Sequence, residues 1–336
     1  MIDLRSDTLT LPSKEMKEKM FSSQLGDDVF GEDPTVNLLE KQAAELFGME
    51  SAIFCSSGTM TNQIAINVHV RPGDEVICSR ESHIYNYEGG GIAKNSGASV
   101  RLVEGPSGIL SPNDVIDNIN ADDIHCPITS LVALENTSNR GGGVCYSFEN
   151  MEAISSICKK NTIPLHLDGA RIFNAIVANN ESPSVYGKIF DSISVCLSKG
   201  LGAPIGSLLL GNKKFIEKAR RARKVFGGGM RQVGIIAAAG IYALENNIQR
   251  LDDDHRRASL IAQSLENCSW VKRVLPQQTN IIVFNVVDSI SNLDFIAKMQ
   301  DVGIKCIGFG PGRVRMVTHL DITDTDVEFI CEKLKF

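Results

Sequence analysis

The sequence predicts an α/β protein in which a large domain on a mainly parallel seven-stranded sheet is followed by a smaller α+β domain. Apolar runs of strand length alternate with helical segments through the first two thirds of the chain. That alternation indicates parallel strands covered by helices on both faces. The pattern changes after a long apolar helix that begins near Gln232. The length, 336 residues, also suits roughly two domains of ordinary size.

Taken in order, the expected strands are Ala52 to Ser56, Glu75 to Cys78, Ser99 to Val103, Leu131 to Glu135, Ile163 to Asp168, Ser192 to Leu197 and Gly206 to Leu210. Between them, Leu38, Leu39, Ala43, Leu46 and Phe47 mark one face of a helix over Val36 to Phe47, and Met151 to Lys160 is a second periodic segment. A boundary near residue 246 separates a large domain, 1–246, from a small one, 247–336. The small domain reads as a strand at 280–287, a helix from Leu293 to Val302, strands Ile304 to Ile307 and Val314 to Thr318, and a last helix from Thr323.

Apolar residues make up 43% and charged residues 22%, as in a soluble globular enzyme, and the net charge of −6 argues against nucleic acid or an anionic membrane as partner. The longest apolar stretch, Val233 to Leu244, falls short of the ~20 residues of a membrane span. The start, Met1-Ile-Asp-Leu-Arg-Ser-Asp, does not resemble a signal peptide. Nine cysteines without C-x-x-C pairs suit reduced core thiols, with no metal site, in a cytoplasmic protein.

Chemistry concentrates at two predicted strand ends. Asp168-Gly-Ala-Arg171 closes the run Ile163-Pro-Leu-His-Leu, and Ser198-Lys199-Gly200 closes Ile193-Ser-Val-Cys-Leu. In an α/β sheet both charged side chains emerge beside the crevice where ligands bind. A buried Asp able to pair with a heterocyclic nitrogen and a Lys able to form an imine are the two groups that pyridoxal 5'-phosphate (PLP) requires. Asp-Gly and Lys-Gly are also ordinary strand-end dipeptides, so the pair alone is weak evidence.

Ser56-Ser57-Gly58-Thr59 follows a strand and opens a helix, which suits either an anion site or a simple N-cap. His83, one strand further on, is able to stack on a planar ring and exchange a proton near neutral pH. The cations of Lys218 to Arg231 surround Gly227-Gly-Gly229; such a run is usually a solvated helix face, but in an acidic chain its target is a phosphate or carboxylate. Gly308-Phe-Gly-Pro-Gly312 lacks dinucleotide-loop spacing and reads as a turn.

With these pieces in order, the chain resembles the low-specificity L-threonine aldolases, PLP enzymes of the aspartate-aminotransferase fold (fold type I). The resemblance runs nearly end to end, through Leu4-Arg-Ser-Asp-Thr, Gly26-Asp-Asp-Val-Phe-Gly-Glu-Asp-Pro-Thr, Ser57-Gly-Thr-Met, His83, Asp123-Ile-His125, Leu134-Glu-Asn-Thr, His166-Leu-Asp-Gly-Ala-Arg-Ile-Phe-Asn-Ala, Cys196-Leu-Ser-Lys-Gly-Leu-Gly-Ala-Pro-Ile-Gly-Ser, Gly227-Gly-Gly-Met-Arg-Gln and Arg315-Met-Val-Thr-His. It implies retro-aldol cleavage of L-threonine or L-allo-threonine to glycine and acetaldehyde. On the residues alone, another fold type I PLP lyase or an aminotransferase stays open, as does a catalytically inactive PLP-binding protein.

Position by position, the resemblance makes Lys199 the cofactor-bearing lysine and Asp168 the pyridinium partner, with His83 stacked on the ring and Gly58 and Thr59 at the phosphate. Lys224 and Arg231 match cations that reach the phosphate region from a neighbouring subunit, which implies a homo-oligomer, a tetramer built from dimers with shared sites. Ser6, Arg171 and Arg315 match the substrate-carboxylate residues, and His125 the residue near the β-hydroxyl. His83 and His125 are both open as the base. Two departures stand out: Phe30 where family members carry Tyr, and Ser138 where they carry His. The first removes a hydroxyl from the expected rim of the site; the second bears on a polar network or on the diastereomer preference.

Overall fold

The computed structural model describes residues 1–335. After a two-residue strand, β1 (Ile2–Asp3), come β2 (Ser51–Cys55), β3 (Glu75–Ser79), β4 (Ser99–Val103), β5 (Thr129–Glu135), β6 (Leu165–Gly169), β7 (Ser192–Cys196) and β8 (Ser207–Gly211). The last seven form one sheet in the order β2-β8-β7-β6-β5-β3-β4. It is parallel from β4 to β7, and β8 lies antiparallel to both β2 and β7. Each expected strand is present within two residues. β6 starts at Leu165 rather than Ile163, because Pro164 has no N–H to give the ladder.

Every residue of β3, β6, β7 and β8 is buried, as helices on both faces demand. Val132, Leu134, Leu165, Leu167, Ile193 and Val195 pack on one face against the helices Pro34–Phe47 and Phe148–Lys160. Val76, Cys78, Leu131 and Ala133 pack on the other with Ile66 and Ile92. His166 sits between Leu165 and Leu167 and points to that second face, where it meets Asn62 of the helix Gly58–His69 at 3.1 Å. Period-two alternation thus places one polar residue opposite two apolar neighbours.

Five strands follow: β9 (Val271–Val274), β10 (Ile281–Val286), β11 (Ile304–Lys305), β12 (Ile307–Gly308) and β13 (Arg313–Val317). A small antiparallel sheet has the order β12-β13-β10-β9. Its core joins Trp270, Phe284 and Phe295, with the Phe284 and Phe295 rings edge to face at 5.5 Å. The single strand expected over Ile304 to Ile307 is two, because β11 pairs in parallel with β1 while β12 pairs with β13. Sequence reading also missed the helices Lys14–Phe21 and Leu251–Glu266. The second opens Leu-Asp-Asp-Asp-His-Arg-Arg, and this charge run obscures the buried stripe of His255, Ala258, Ile261, Ala262 and Leu265.

Residues on both sides of the division expected at residue 246 pack across it. Leu251 packs in the large core. Leu4, fully buried, packs in the small one. Hydrogen bonds from Leu4 N to the Lys305 carbonyl and from Val317 N to the Leu4 carbonyl, both 2.8 Å, stitch the N-terminal arm between β11 and β13. Among the described residues, no helix is long and apolar enough to cross a membrane. Truncating a fully buried leucine loses its transfer free energy and leaves a cavity, so Leu4→Ala is expected to cost about 2–5 kcal/mol. Urea unfolding of both proteins checks this; a loss under about 0.5 kcal/mol, the range of surface changes, would show that the arm is not anchored there.

Candidate active site

Parallel register sets Glu135 of β5 beside Asp168 of β6, and Asp168 beside Ser194 of β7. Glu135 and Asp168 stand at C-terminal strand ends, where open α/β sheets bind ligands. Lys199 follows β7 in a turn closed by the Gly202 N–H donating to the Lys199 carbonyl at 2.8 Å. A cavity of about 400 Å³ opens here, with Ser6, His83, Tyr87, Arg171, Lys199 and Arg315 in its wall. It brings together residues from the N-terminal arm, the large sheet and β13.

Asp168 is buried beside His83. Its Oδ2 accepts from Asn62 Nδ2 at 3.0 Å and its Oδ1 from the Ala170 N–H at 3.1 Å. Asn62 Nδ2 also donates to Glu88 Oε1 at 2.9 Å, and His83 Nδ1 meets the same oxygen at 3.1 Å. Donor atoms of His83, Glu88 and Asp168 lie within 4.8 Å of one another, a spacing open to a cation, but Asn62 already satisfies both carboxylates. Glu135 accepts from the His83 N–H at 2.6 Å and from the Asn139 N–H at 2.8 Å. Burial, then the Asp168 charge, pushes the Glu135 carboxyl up to about 7. Burial alone pulls the His83 imidazole down, but the Glu88 hydrogen bond and the charges of Asp168, Glu88 and Glu135 outweigh it and raise its pKa.

The opposite wall is cationic. Arg171, which caps the helix Ile172–Asn179 after β6, forms a buried two-point pair with Asp7: Nε to Oδ2 at 2.8 Å and Nη2 to Oδ1 at 2.7 Å. Burial pushes the Asp7 carboxyl up, yet the Arg171 charge and hydrogen bond hold it well below the usual carboxylate range. Arg315, 8% exposed, has only neutral acceptors among the described residues: Asn139 Oδ1 and the Arg5 carbonyl, both at 3.0 Å. Its Nε is buried without a partner. Burial, then repulsion from Arg171, pulls its pKa down to about 10. A buried guanidinium in this condition calls for an anion. Arg313, two residues earlier on β13, is exposed.

Ser6, Lys199, His83, Arg171 and Arg315 therefore meet around one cavity, with Asp168 beside it. Gly58 and Thr59 open the helix Gly58–His69 near the end of β7, where a side chain on Gly58 would stand 2.6 Å from Cys196 Sγ. Thr59 is exposed. His125 stands apart from this chain's cavity: its side chain is 84% exposed on the 121–128 loop, where Asp123 Oδ1 accepts from its N–H at 2.9 Å and meets Nδ1 at 2.7 Å. That local turn keeps the ring outside this chain's cavity. Lys224 and Arg231 also stand outside it, both exposed, with Arg231 paired to Asp27 at 2.9 Å.

Both departures from the family pattern lie away from the cavity wall. Phe30 is 73% exposed. Ser138 is buried with its hydroxyl donating to the Ser107 carbonyl at 2.8 Å, and side chains on Gly108 or Gly141 would stand 2.6 and 2.8 Å from that oxygen. A histidine here has no room without moving this loop.

Sequence reasoning gave no role to Asp7, Asn62, Glu88, Glu135, Tyr87, Asn139 or Arg140, although all seven take part. Asp7, Asn62, Tyr87 and Glu135 stood inside segments the sequence singles out, without a role of their own; the others carried no local signal. Arg140 and Arg315 both lie over the Phe309 ring, at 4.6 and 4.9 Å from its centre.

Glu135 gives the cofactor-free protein a defined pH response. Its folded pKa of about 7 exceeds an unfolded value of about 4.3. Between these the folded state binds more protons, so stability falls as pH rises through that window. Melting temperatures at pH 5 and pH 7 are expected to differ more for the native protein than for Glu135→Gln. Equal pH slopes in the two would contradict the buried neutral carboxyl.

Comparison with known proteins places this site in a family. The beta-eliminating lyase family model matches residues 3–289. Over 325 residues the chain is 43% identical to the low specificity L-threonine aldolase of Escherichia coli (strain K12), covering 96% of this chain and 95% of that protein. It is 40% identical over 336 residues to a probable low-specificity L-threonine aldolase 2 of Arabidopsis thaliana, covering 98% and 95%. Among solved structures, Leishmania major threonine aldolase superposes with a TM-score of 0.87 at 22% identity, over 99% of this chain and 98% of that one. The histidinol-phosphate aminotransferase of Clostridium acetobutylicum shares the fold, with a TM-score of 0.73 at 16% identity, over 100% and 98%. The near full-length matches in sequence show that this chain belongs to the low-specificity L-threonine aldolases, PLP-dependent enzymes of fold type I within the beta-eliminating lyase family.

Proposed function

We propose that this cavity cleaves L-threonine and L-allo-threonine to glycine and acetaldehyde, with Lys199 and Asp168 holding PLP and Arg315 holding the substrate carboxylate. The observation that carries the reading is the buried Arg315 guanidinium, whose Nε lacks a partner, in the same cavity as Lys199. The residues fit the cofactor. Asp168 is a buried carboxylate at a strand end, Lys199 lies in the cavity wall, and Gly58 and Thr59 offer the first N–H groups of a helix to a phosphate. When bound, PLP supplies a sink for the electron pair released at Cα.

The chain's own residues do the rest. With the cofactor bound, Asp168 would keep its ring nitrogen protonated, and His83, beside Asp168, would be the residue to stack on it. Arg315 and the remaining arm of Arg171 bind the carboxylate, with Ser6 beside them, and so fix which bond at Cα is cleaved. His83, turned by Glu88 through Nδ1, takes the β-hydroxyl proton at Nε2, and Lys199 returns a proton to Cα. This assigns the base to His83 rather than to His125, which stands outside the cavity. Division of the chain at residue 246 and a cytoplasmic location belong to the same reading.

Acetaldehyde released from either substrate without any 2-oxo acid acceptor tests the reaction; a requirement for the acceptor would instead make this an aminotransferase. In that assay Arg315→Ala is expected to cost on the order of 2–5 kcal/mol in kcat/KM with PLP still bound. Arg313→Ala stays within about tenfold of the native protein, since an exposed charge contributes little. The reverse ranking would overturn the carboxylate assignment.

Lys224 and Arg231 serve a neighbouring subunit's phosphate site in this reading, within a tetramer built as a dimer of dimers. Support comes from their exposure and from the apolar side chains bared on the nearby N-terminal segment: Leu11 at 69%, Phe21 at 82% and Phe30 at 73% exposed. Mixing Lys199→Ala with Arg231→Ala protomers restores activity if sites are shared. Hybrids shown to form, yet inactive, would count against sharing.

A further inference from the structure

A chain of hydrogen bonds runs from the rim of the large sheet to Asp168, and none of its outer members has a role in the reaction described above. His69 Nε2 meets Ser192 Oγ at 2.8 Å, and Ser192 Oγ meets His166 Nδ1 at 2.8 Å. His166 Nε2 meets Asn62 Oδ1 at 3.1 Å, and Asn62 Nδ2 reaches Asp168 Oδ2 and Glu88 Oε1. Asn62, His166 and Ser192 are buried, at 1%, 0% and 0% exposure.

The two carboxylates fix the direction of every link. Asp168 and Glu88 only accept, so the Asn62 amide must turn its NH2 toward them and its oxygen toward His166. That oxygen accepts, so His166 carries its hydrogen on Nε2 and presents a bare Nδ1. Ser192 then donates to Nδ1, and its oxygen accepts from His69 Nε2. Each bond donates toward Asp168. Burial keeps both rings neutral, pulling His166 down to about 3 and His69 to about 4, with a smaller push on His69 from Lys218 and on His166 from His69. The charged groups at the far end are Asp168, Glu88, Glu135 and His83.

We propose that His166, acting through Asn62, is a positioning residue for Asp168: its Nε2–H locks the Asn62 amide with its NH2 on the carboxylate. Without that donor the two carboxylates alone hold the Asn62 amide, its NH2 is held less firmly on Asp168 Oδ2, and the carboxylate is less firmly placed to pair with the cofactor's ring nitrogen. The inference rests on Asp168 being the ring partner.

Two substitutions at one position separate orientation from packing. Glutamine sets its amide near the place of Nε2 and can donate to Asn62; asparagine is too short and reaches only the Ser192 side. The readouts are PLP affinity by equilibrium dialysis and the pH midpoint of the visible absorption band of the lysine-bound cofactor, with melting temperature as the check on folding. His166→Asn is expected to weaken PLP binding about tenfold, the worth of a hydrogen bond to a charged group, and to displace the band's pH midpoint. His166→Gln keeps both near the native values. Equal behaviour of the two variants, whether both native-like or both impaired, overturns the proposal.

Should His166→Asn fail to fold, Asn62→Ala carries the test with His166 intact: the same displaced midpoint supports the lock, and an unmoved one overturns it. Asp168→Asn distinguishes the underlying reading. If that change leaves the band's titration untouched, Asp168 is not the ring partner. If it moves the band while His166→Asn does not, only the role of His166 fails.

Discussion

The Asp7–Arg171 pair holds three parts of the chain to one another. Asp7 belongs to the N-terminal arm, Arg171 follows β6 of the large sheet, and Asn280, just before β10, donates to Asp7 Oδ2 at 3.1 Å. Both charges are buried, so each depends on the other: removing one partner of such a pair typically costs about 3–5 kcal/mol, because it strands the remaining charge. Ser6 is held beside the cavity between two anchors, this pair on Asp7 and the backbone bonds of Leu4 to Lys305 and Val317. The arm is thereby a structural wall of the cavity and not a loose leader to it.

The same pair sets the cavity's charge. Three arginines, Arg140, Arg171 and Arg315, stand in its wall, which would suit a polyanion if all were free. They are not: Asp7 answers Arg171, and Glu81 answers Arg140 at 3.2 Å. Arg315 alone has no carboxylate partner among the described residues. The balance suits a ligand with one carboxylate, as an amino acid has, and it accounts for a site that is cationic locally in a protein of net charge −6.

Much of the large sheet was legible because strands buried on both faces are written as continuous apolar runs, as in Ile193-Ser-Val-Cys-Leu197. Asp168 and Lys199 were legible for the same reason, since each breaks such a run where it ends. What could not be read depends on partners distant in sequence. β11 exists because β1 lies beside it, and two residues carry no pattern of their own. Arg171 was read as a substrate ligand from its motif, but Asp7, which takes two of its nitrogens, comes 164 residues earlier. His125 shows the converse: its motif matched, yet a local turn to Asp123 keeps the ring in solvent within one chain.

The β1–β11 pairing also bears on how the protein is made. Leu4 has its backbone partners in Lys305 and Val317, so this segment is synthesised long before the strands that hold it. With synthesis at roughly 5–20 residues per second, the arm waits tens of seconds or less before β11 and β13 emerge. Until then the large sheet can form its strand ends, but Ser6 and Asp7 are not yet in the wall, and the Arg171 charge is unanswered. A nascent chain therefore carries an open, incompletely neutralised site until the long loop from the arm to β11 and β13 closes.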